Sequence, residues 1–378
     1  MSLNGIYVDD DPEAKRLLPR LESSNLKITL LEPEDLVKLA DHIVKAQPDV
    51  LLLDYRLDED AGSRDGAAAF RAAPLAQQIR DRLGDGPASD FPIVLISSEH
   101  KIQTLFRPEK TAHDLFDWKL IKDDVANPRS SRANLILLGL ARGYQVLKGL
   151  QNHFDSPALF GLSIEQAYLT DYQELKESLR ESEYPHIAAR YILNFVIRRS
   201  GLLLDWHNLL ARLGIAAPDA DSPALNALHT WLTPTRYAGV FTECRELWWS
   251  SMVEEKFEDI LNDPVDRLTA AQRANKLSDA LEQTYLPATD RWSKTTEFHP
   301  IFACAICASA TPLKHSLSCL DGRLPKFVDR HRVCFRCIQT DKLEEFNAQS
   351  SSEVKLILDE TEQRIALRIR SGQLIPAT

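Results

Sequence analysis

The sequence predicts a doubly wound α/β domain at its N-terminal end, and three observations predict it. Val50 to Leu53 run without a polar residue and stop at Asp54, the pattern of a buried parallel strand ending in a carboxylate. Gly5-Ile6-Tyr7-Val8 is another β-prone run that stops at an acid, Asp9, with Asp10, Asp11 and Pro12 behind it. Around these runs lie segments of helical period, so strands and helices alternate.

In chain order, Pro12 suits the first turn of a helix. Leu26 to Leu31 reads as the second strand, and residues 33–47 place Leu36, Val37, Leu39, Ile43 and Val44 at helical spacing. After the strand at Val50 come Arg64-Asp65-Gly66 and an Ala-rich helix to about Arg82. Phe91 to Ile96 is a fourth strand, ending in Ser97-Ser98. Trp118 to Ile121 is a fifth, ending in Lys122, and Ser130 to about His153 reads as helical. These alternations imply a parallel sheet with helices on both faces, a (βα)5 domain over residues 1–150.

In such a sheet the C-terminal strand ends meet at one rim, which would gather Asp9, Asp10, Asp54, Ser97 and Lys122. Three neighbouring carboxylates repel unless a cation joins them, and hard oxygen ligands suit Mg²⁺. A hydroxyl from Ser97 and an ammonium from Lys122 would complete a cradle for a tetrahedral phosphoryl group, with Asp54 as nucleophile. Taken singly, Asp9 or Asp11 caps a helix, Ser97 starts one and Lys122 is a solvated amine. Together they read as a site.

In order, Val8-Asp9-Asp10-Asp11-Pro12, Leu51 to Asp54, Asp65-Gly66, Pro92 to Ser97 and Lys122 resemble the motif set of two-component response-regulator receiver domains. The resemblance covers about the first 125 to 150 residues. It implies that Asp54 accepts a phosphoryl group from a histidine kinase, that Asp10 and Asp54 ligate Mg²⁺, that Asp9 acts through water and that the Arg56 carbonyl supplies another oxygen. It also implies that Ser97 and Lys122 contact the phosphoryl group and relay its presence. Three departures stand out. The loop after Asp54 is long and acidic, with Asp58, Glu59 and Asp60. Asp123 replaces the usual proline after the lysine, against the usual cis bond. The aromatic switch position is Lys119, with Trp118 beside it.

A length of 378 residues allows two or three domains, and 44% hydrophobic with 26% charged residues is ordinary for a globular chain. No apolar run approaches the ~20 residues that span a bilayer, and the first residues are acidic where a signal peptide is basic, so the expected location is cytoplasmic. A net charge of -10 argues against bulk attraction to nucleic acid or an anionic membrane.

Residues 151–298, punctuated by Pro185, Pro218, Pro223, Pro234, Pro264 and Pro287, predict a mainly helical domain. Ser163 to Gln166 has the spacing of a capping box for a helix continuing towards Arg180. Ile187, Tyr191, Ile192, Phe195 and Val196 mark the buried stripe of a helix to Arg199. Leu202 to Leu213 is a possible companion in a helix-turn-helix, though it lacks a dense basic face and Asp205 dilutes what is there. Trp231, Tyr237, Phe241, Trp248 and Trp249 suit a core better than an aromatic pocket. His186, His207 and His229 have no partners at catalytic spacing.

Residues 299–378 carry Cys304-Ala-Ile-Cys307 and Cys334-Phe-Arg-Cys337, two pairs that together supply the four soft ligands of a closed, structural Zn²⁺ site in a zinc-ribbon-like module. His299, His315, Cys319 and His331 are alternatives for one thiolate, Cys319 first among them. Lys314, Arg323, Lys326, Arg330, Arg332 and Arg336 make the stretch between the pairs locally basic. Glu353 to Leu358 and the alternation Ile365, Leu367, Ile369 predict two closing strands.

The expected whole is a response-regulator-like signalling protein, not an enzyme beyond its own phosphotransfer and dephosphorylation. Its partners would be a histidine kinase and a protein effector, with no membrane. The alternatives are a phosphoryl sink competing for a shared kinase and a phosphorylation-controlled binder of nucleic acid.

Overall fold

The protein was analysed as a computed structural model that describes residues 2–57, 70–85, 90–98, 114–127, 131–150, 153–348 and 355–375. Asp58, Glu59, Asp60, Arg64, Asp65 and Gly66 lie outside the described residues. The chain divides into two units: Met1–Ala167 with Gln173–Asn194 and Ala238–Arg245, and Tyr168–Tyr172 with Phe195–Tyr237 and Glu246–Thr378.

The first unit is built on a five-stranded parallel sheet of strands β1 (Leu3–Val8), β2 (Leu26–Leu31), β3 (Val50–Asp54), β4 (Ile93–Ser97) and β5 (Trp118–Ile121), in the order β2-β1-β3-β4-β5. That order reverses between β1 and β3, the switch point at which open α/β sheets place their ligands. Every residue of β3 and β4 is buried, as the unbroken apolar runs required. Ile6, Val8, Leu51, Leu53, Ile93 and Leu95 pack with Leu39 and Ile43 of the helix Leu36–Ala46 and with Leu75 and Ile79 of the helix Ala72–Asp85. Asp35 starts the former by accepting from the backbone N–H of Val37 and Lys38, each at 3.1 Å.

The expected boundary near residue 150 is not where this unit ends, because its sheet is tied to later helices. Arg80 pairs with Asp90 at 2.5 Å and with Asp117 at 2.8 Å, just before β4 and β5. Tyr144, on the helix Ala133–Gly149, donates to Asp117 at 2.6 Å, and both the backbone N–H and Nδ1 of His186 meet Asp90 Oδ2, at 2.8 and 2.7 Å. Buried charges persist only when paired in this way. The Phe241 ring also lies over Gly143, which brings 238–245 into this unit.

Several helical expectations shift for local reasons. Ser163 forms half of its box, its N–H donating to Gln166 Oε1 at 3.2 Å, but the helix begins only at Gln173 and runs to Arg180. The helix expected to Arg199 is Pro185–Ile192 followed by one wide π turn, Leu193–Ile197, and Ile187 is exposed while Ile192 and Val196 are buried. No helix-turn-helix forms at Leu202. Leu203–Leu204 pairs antiparallel with Trp248–Trp249, and Asp205 then caps the helix Trp206–Leu213 through the Asn208 N–H at 2.8 Å.

The second unit buries Leu209, Leu213, Leu228, Trp248, Phe257, Leu261 and Leu277 in one helical core. Arg273 is buried there with its guanidinium on four backbone carbonyls, of Leu268, Arg212, Pro300 and Val265. Phe302–Ala303 with Ala310–Thr311 and Ser316–Ser318 with Arg332–Cys334 form two short antiparallel hairpins. Of the two closing strands, the first is, among the described residues, a single antiparallel bridge of Leu358 with Cys319, and the second is not a strand. Glu360–Arg370 is a helix, capped by Asp359 through the Glu362 N–H at 2.9 Å, with acids in its first turn and arginines in its last. Ile365 and Ile369, four apart, face the core while Leu367 is 63% exposed. Among the described residues no helix is long and apolar enough to cross a membrane.

Candidate functional site

Sheet register assembles the first site. Val8 pairs with Leu53, Asp54 with Ile96 and Ser97 with Ile121, so Asp9, Asp54, Ser97 and Lys122 come to one rim at nearly one level. Asp9, Asp10 and Asp54 present carboxylate oxygens within 4.8 Å of one another. Asp9 and Asp54 are buried and Asp10 is half-buried. Lys122 Nζ lies 2.7 Å from Asp9 Oδ2 and 2.8 Å from Asp54 Oδ1. Burial lowers the Lys122 pKa, and the charges of Asp54 and Asp9 outweigh it, so the amine is held above the ordinary lysine value. Arg56 follows the strand, its backbone N–H donating to Asp54 Oδ2 at 2.9 Å. Ser97 Oγ is buried with no hydrogen-bond partner among the described residues.

The residues fit the ion that the carboxylates imply. Three hard oxygen donors converge with one cationic amine among them, and the buried hydroxyl that ends β4 lacks an acceptor among the described residues. Lys122 opens the helix Lys122–Ala126 directly, and its bond to Asp123 is trans, as are all peptide bonds among the described residues. Asp11 takes the capping role, accepting from the Glu13 N–H at 2.8 Å.

One residue of the rim was not singled out from the sequence. Tyr7 is fully buried two residues before Asp9, on the same side of β1, and its hydroxyl donates to Asp9 Oδ2. Burial, then the charge of Asp9, pushes its pKa far above the ordinary tyrosine value, so the phenol stays a donor. A tyrosine between the aliphatic Ile6 and Val8, in step with the acid, was the signal available.

The second site is the cysteine cluster. Cys304 and Cys307 flank a tight turn in which the N–H of Ala308, at φ 56°, donates to the Cys304 carbonyl at 2.9 Å. Cys334 stands at the start of the helix Phe335–Gln339, which carries Cys337. The four Sγ atoms gather within 4.8 Å, Cys304 to Cys337 at 3.9 Å and Cys307 to Cys334 at 3.7 Å. A tetrahedral site with Zn–S bonds of ~2.3 Å has sulfur–sulfur edges of ~3.8 Å, so the spacing fits zinc.

The alternatives for a fourth ligand are elsewhere. Cys319 is a buried core residue outside the cluster, its N–H on the His331 carbonyl at 2.9 Å. His315 Nδ1 meets Asp290 at 2.6 Å, His331 Nδ1 meets Asp321 at 3.0 Å, and His299 is exposed. Of the basic stretch, Arg332 donates to Ser316 Oγ at 2.9 Å and lies over the Phe302 ring, and Arg336 donates to Gln339.

No family model matches the chain, and no curated protein does. Solved structures match about two-fifths or more of it. The signal receiver domain of NarL from Mycobacterium tuberculosis is 21% identical, with 38% of this chain and 98% of that chain covered, at a TM-score of 0.28. The response regulator domain of Thermotoga maritima CheB is 12% identical, covering 39% and 96%, at 0.26. The Legionella pneumophila response regulator LqsR is 11% identical, covering 66% and 86%, at 0.28. At such values these are likenesses and nothing more, and the weight falls on the rim's own geometry.

Proposed function

We propose that the N-terminal domain is a response-regulator receiver that accepts a phosphoryl group on Asp54 from a histidine kinase. The observation that carries this reading is the meeting at one sheet rim of Asp9, Asp10, Asp54, Lys122 and the Ser97 hydroxyl, which has no partner among the described residues. An Asp54 oxygen attacks the phosphorus of a phosphohistidine, forming the O–P bond as the N–P bond breaks. The electron pair of that bond returns to the imidazole, which takes a proton from solvent. Mg²⁺ held by Asp10, Asp54 and, more remotely, Asp9 and the Arg56 carbonyl would neutralise charge on the acids and on the phosphoryl oxygens. Asp54 Oδ1 carries the Lys122 amine, so Lys122 must release it and turn to a phosphoryl oxygen. Ser97 Oγ, which has no partner among the described residues, then donates to a phosphoryl oxygen.

Output follows from that exchange: moving Lys122 and Ser97 onto a phosphoryl group changes the rim, and the change alters which protein partner the chain holds. The cysteine cluster takes Zn²⁺ as a structural ion, since four thiolates leave no open position for water. The test is acetyl phosphate or beryllofluoride with Mg²⁺ on the full chain. Wild type is modified and Asp54→Ala is not; equal modification of both overturns the assignment.

A further inference from the structure

Asp9 has about four lone-pair sites on its two carboxylate oxygens. Three are taken. Oδ2 accepts from the Tyr7 hydroxyl and from Lys122 Nζ at 2.7 Å, and Oδ1 accepts from the Asp11 N–H at 2.9 Å. The Tyr7 donor is held in place by the sheet, since its backbone lies between Leu30 of β2 and Leu52 of β3 and its side chain has no solvent exposure. Lys122 cannot play the same part throughout a reaction. It is shared with Asp54 and enters from the end of β5, and on the receiver reading it leaves when a phosphoryl group arrives. Only Tyr7 and the Asp11 N–H then keep the orientation of Asp9, one on each oxygen.

We propose that Tyr7 is a positioning residue for the divalent cation. It holds the Asp9 carboxylate at a fixed twist, with one remaining site on Oδ1 turned to the ion or to a water on it. The inference rests on the receiver reading of the rim. Phenylalanine fills the same space without the donor, so Oδ2 depends on Lys122 alone and the carboxylate can turn about its last torsion. Donors of this outer kind cost ~10–100-fold in metal affinity when removed.

The experiment is a calorimetric Mg²⁺ titration of the full-length protein as wild type, Tyr7→Phe and Asp54→Asn, without phosphoryl donor. Tyr7→Phe should bind Mg²⁺ about tenfold more weakly than wild type at unchanged stoichiometry. Tyrosine ultraviolet resonance Raman supplies the second readout: Mg²⁺ shifts a hydrogen-bonded phenol band in wild type that is missing from Tyr7→Phe. A merely structural hydroxyl would move the melting temperature and leave the Mg²⁺ affinity alone. Affinity in Tyr7→Phe equal to or tighter than wild type overturns the inference and leaves the receiver reading standing. Failure of wild type to bind Mg²⁺, or binding by Asp54→Asn as tight as wild type with Mg²⁺ evidently bound elsewhere, overturns both.

Discussion

Lys122 Nζ rests 2.8 Å from Asp54 Oδ1, an ammonium on the oxygen of a carboxylate that has no solvent exposure of its own. A buried charge of this kind is tolerable only while its partner is present. Lys122→Met, in the absence of divalent ions, should therefore destabilise the protein by about 3 kcal/mol at pH 7, with added Mg²⁺ restoring part of the loss. The pKa of this base is raised on folding. Its contribution is then whole below the ordinary lysine value of ~10.4 and is lost as pH rises through the folded value. Urea unfolding of both proteins at neutral and alkaline pH checks the size and the sign. Equal midpoints at pH 7 would show that the ion pair contributes nothing.

Gly143 sits inside the helix Ala133–Gly149, where replacement by alanine ordinarily gains about 1 kcal/mol. Here a Cβ would stand 2.2 Å from Phe241 Cε1 and 2.3 Å from Cδ1, and the ring is buried. Overpacking costs about 1–3 kcal/mol, so the clash outweighs the propensity. Gly143→Ala should lower the thermal midpoint in calorimetry. A higher midpoint would mean that residues 238–245 are not seated against this helix.

Zinc content separates the cysteines. Elemental analysis should find one zinc per chain in wild type and in Cys319→Ala, and none in Cys334→Ala, whose thiol belongs to the cluster. Cys319 stands outside the group of four thiols that converge, and burial, with Asp321 nearby, pushes its own thiol up to about 12. A strong chelator should unfold the cysteine-bearing module of wild type and of Cys319→Ala alike.

The last helix can be told from a strand by substitution. Leu367→Ala should change stability by no more than about 0.5 kcal/mol, because the side chain is exposed. Ile369→Ala should cost about 2–4 kcal/mol, since that residue has no exposure. In a strand both residues would share one face and both would matter. Chemical denaturation of the two variants decides between them.

The rim was legible because each of its residues ends a strand or stands just after one, and strands of a parallel sheet end on the same side. Asp9, Asp54, Ser97 and Lys122 needed only the apolar runs before them to be placed. The cysteine pairs were legible for a like reason, each being a local knuckle with its own spacing. Tyr7 was missed because its role depends on where a neighbouring carboxylate turns, not on pattern. At Ile365, Leu367 and Ile369 two periods compete over a short span, and the cap at Asp359 settled it.

By itself the sequence determined which segments become strands of the first unit, which acids end them and which thiols pair, since these follow from short-range periodicity and spacing. Only the tertiary structure decided that residues 238–245 and the helix at His186 join the sheet unit, that Cys319 stays out of the metal cluster and that Tyr7 holds Asp9. Those outcomes rest on close packing and on the pairing of buried charges between residues up to about a hundred positions apart, and no local pattern encodes such partners.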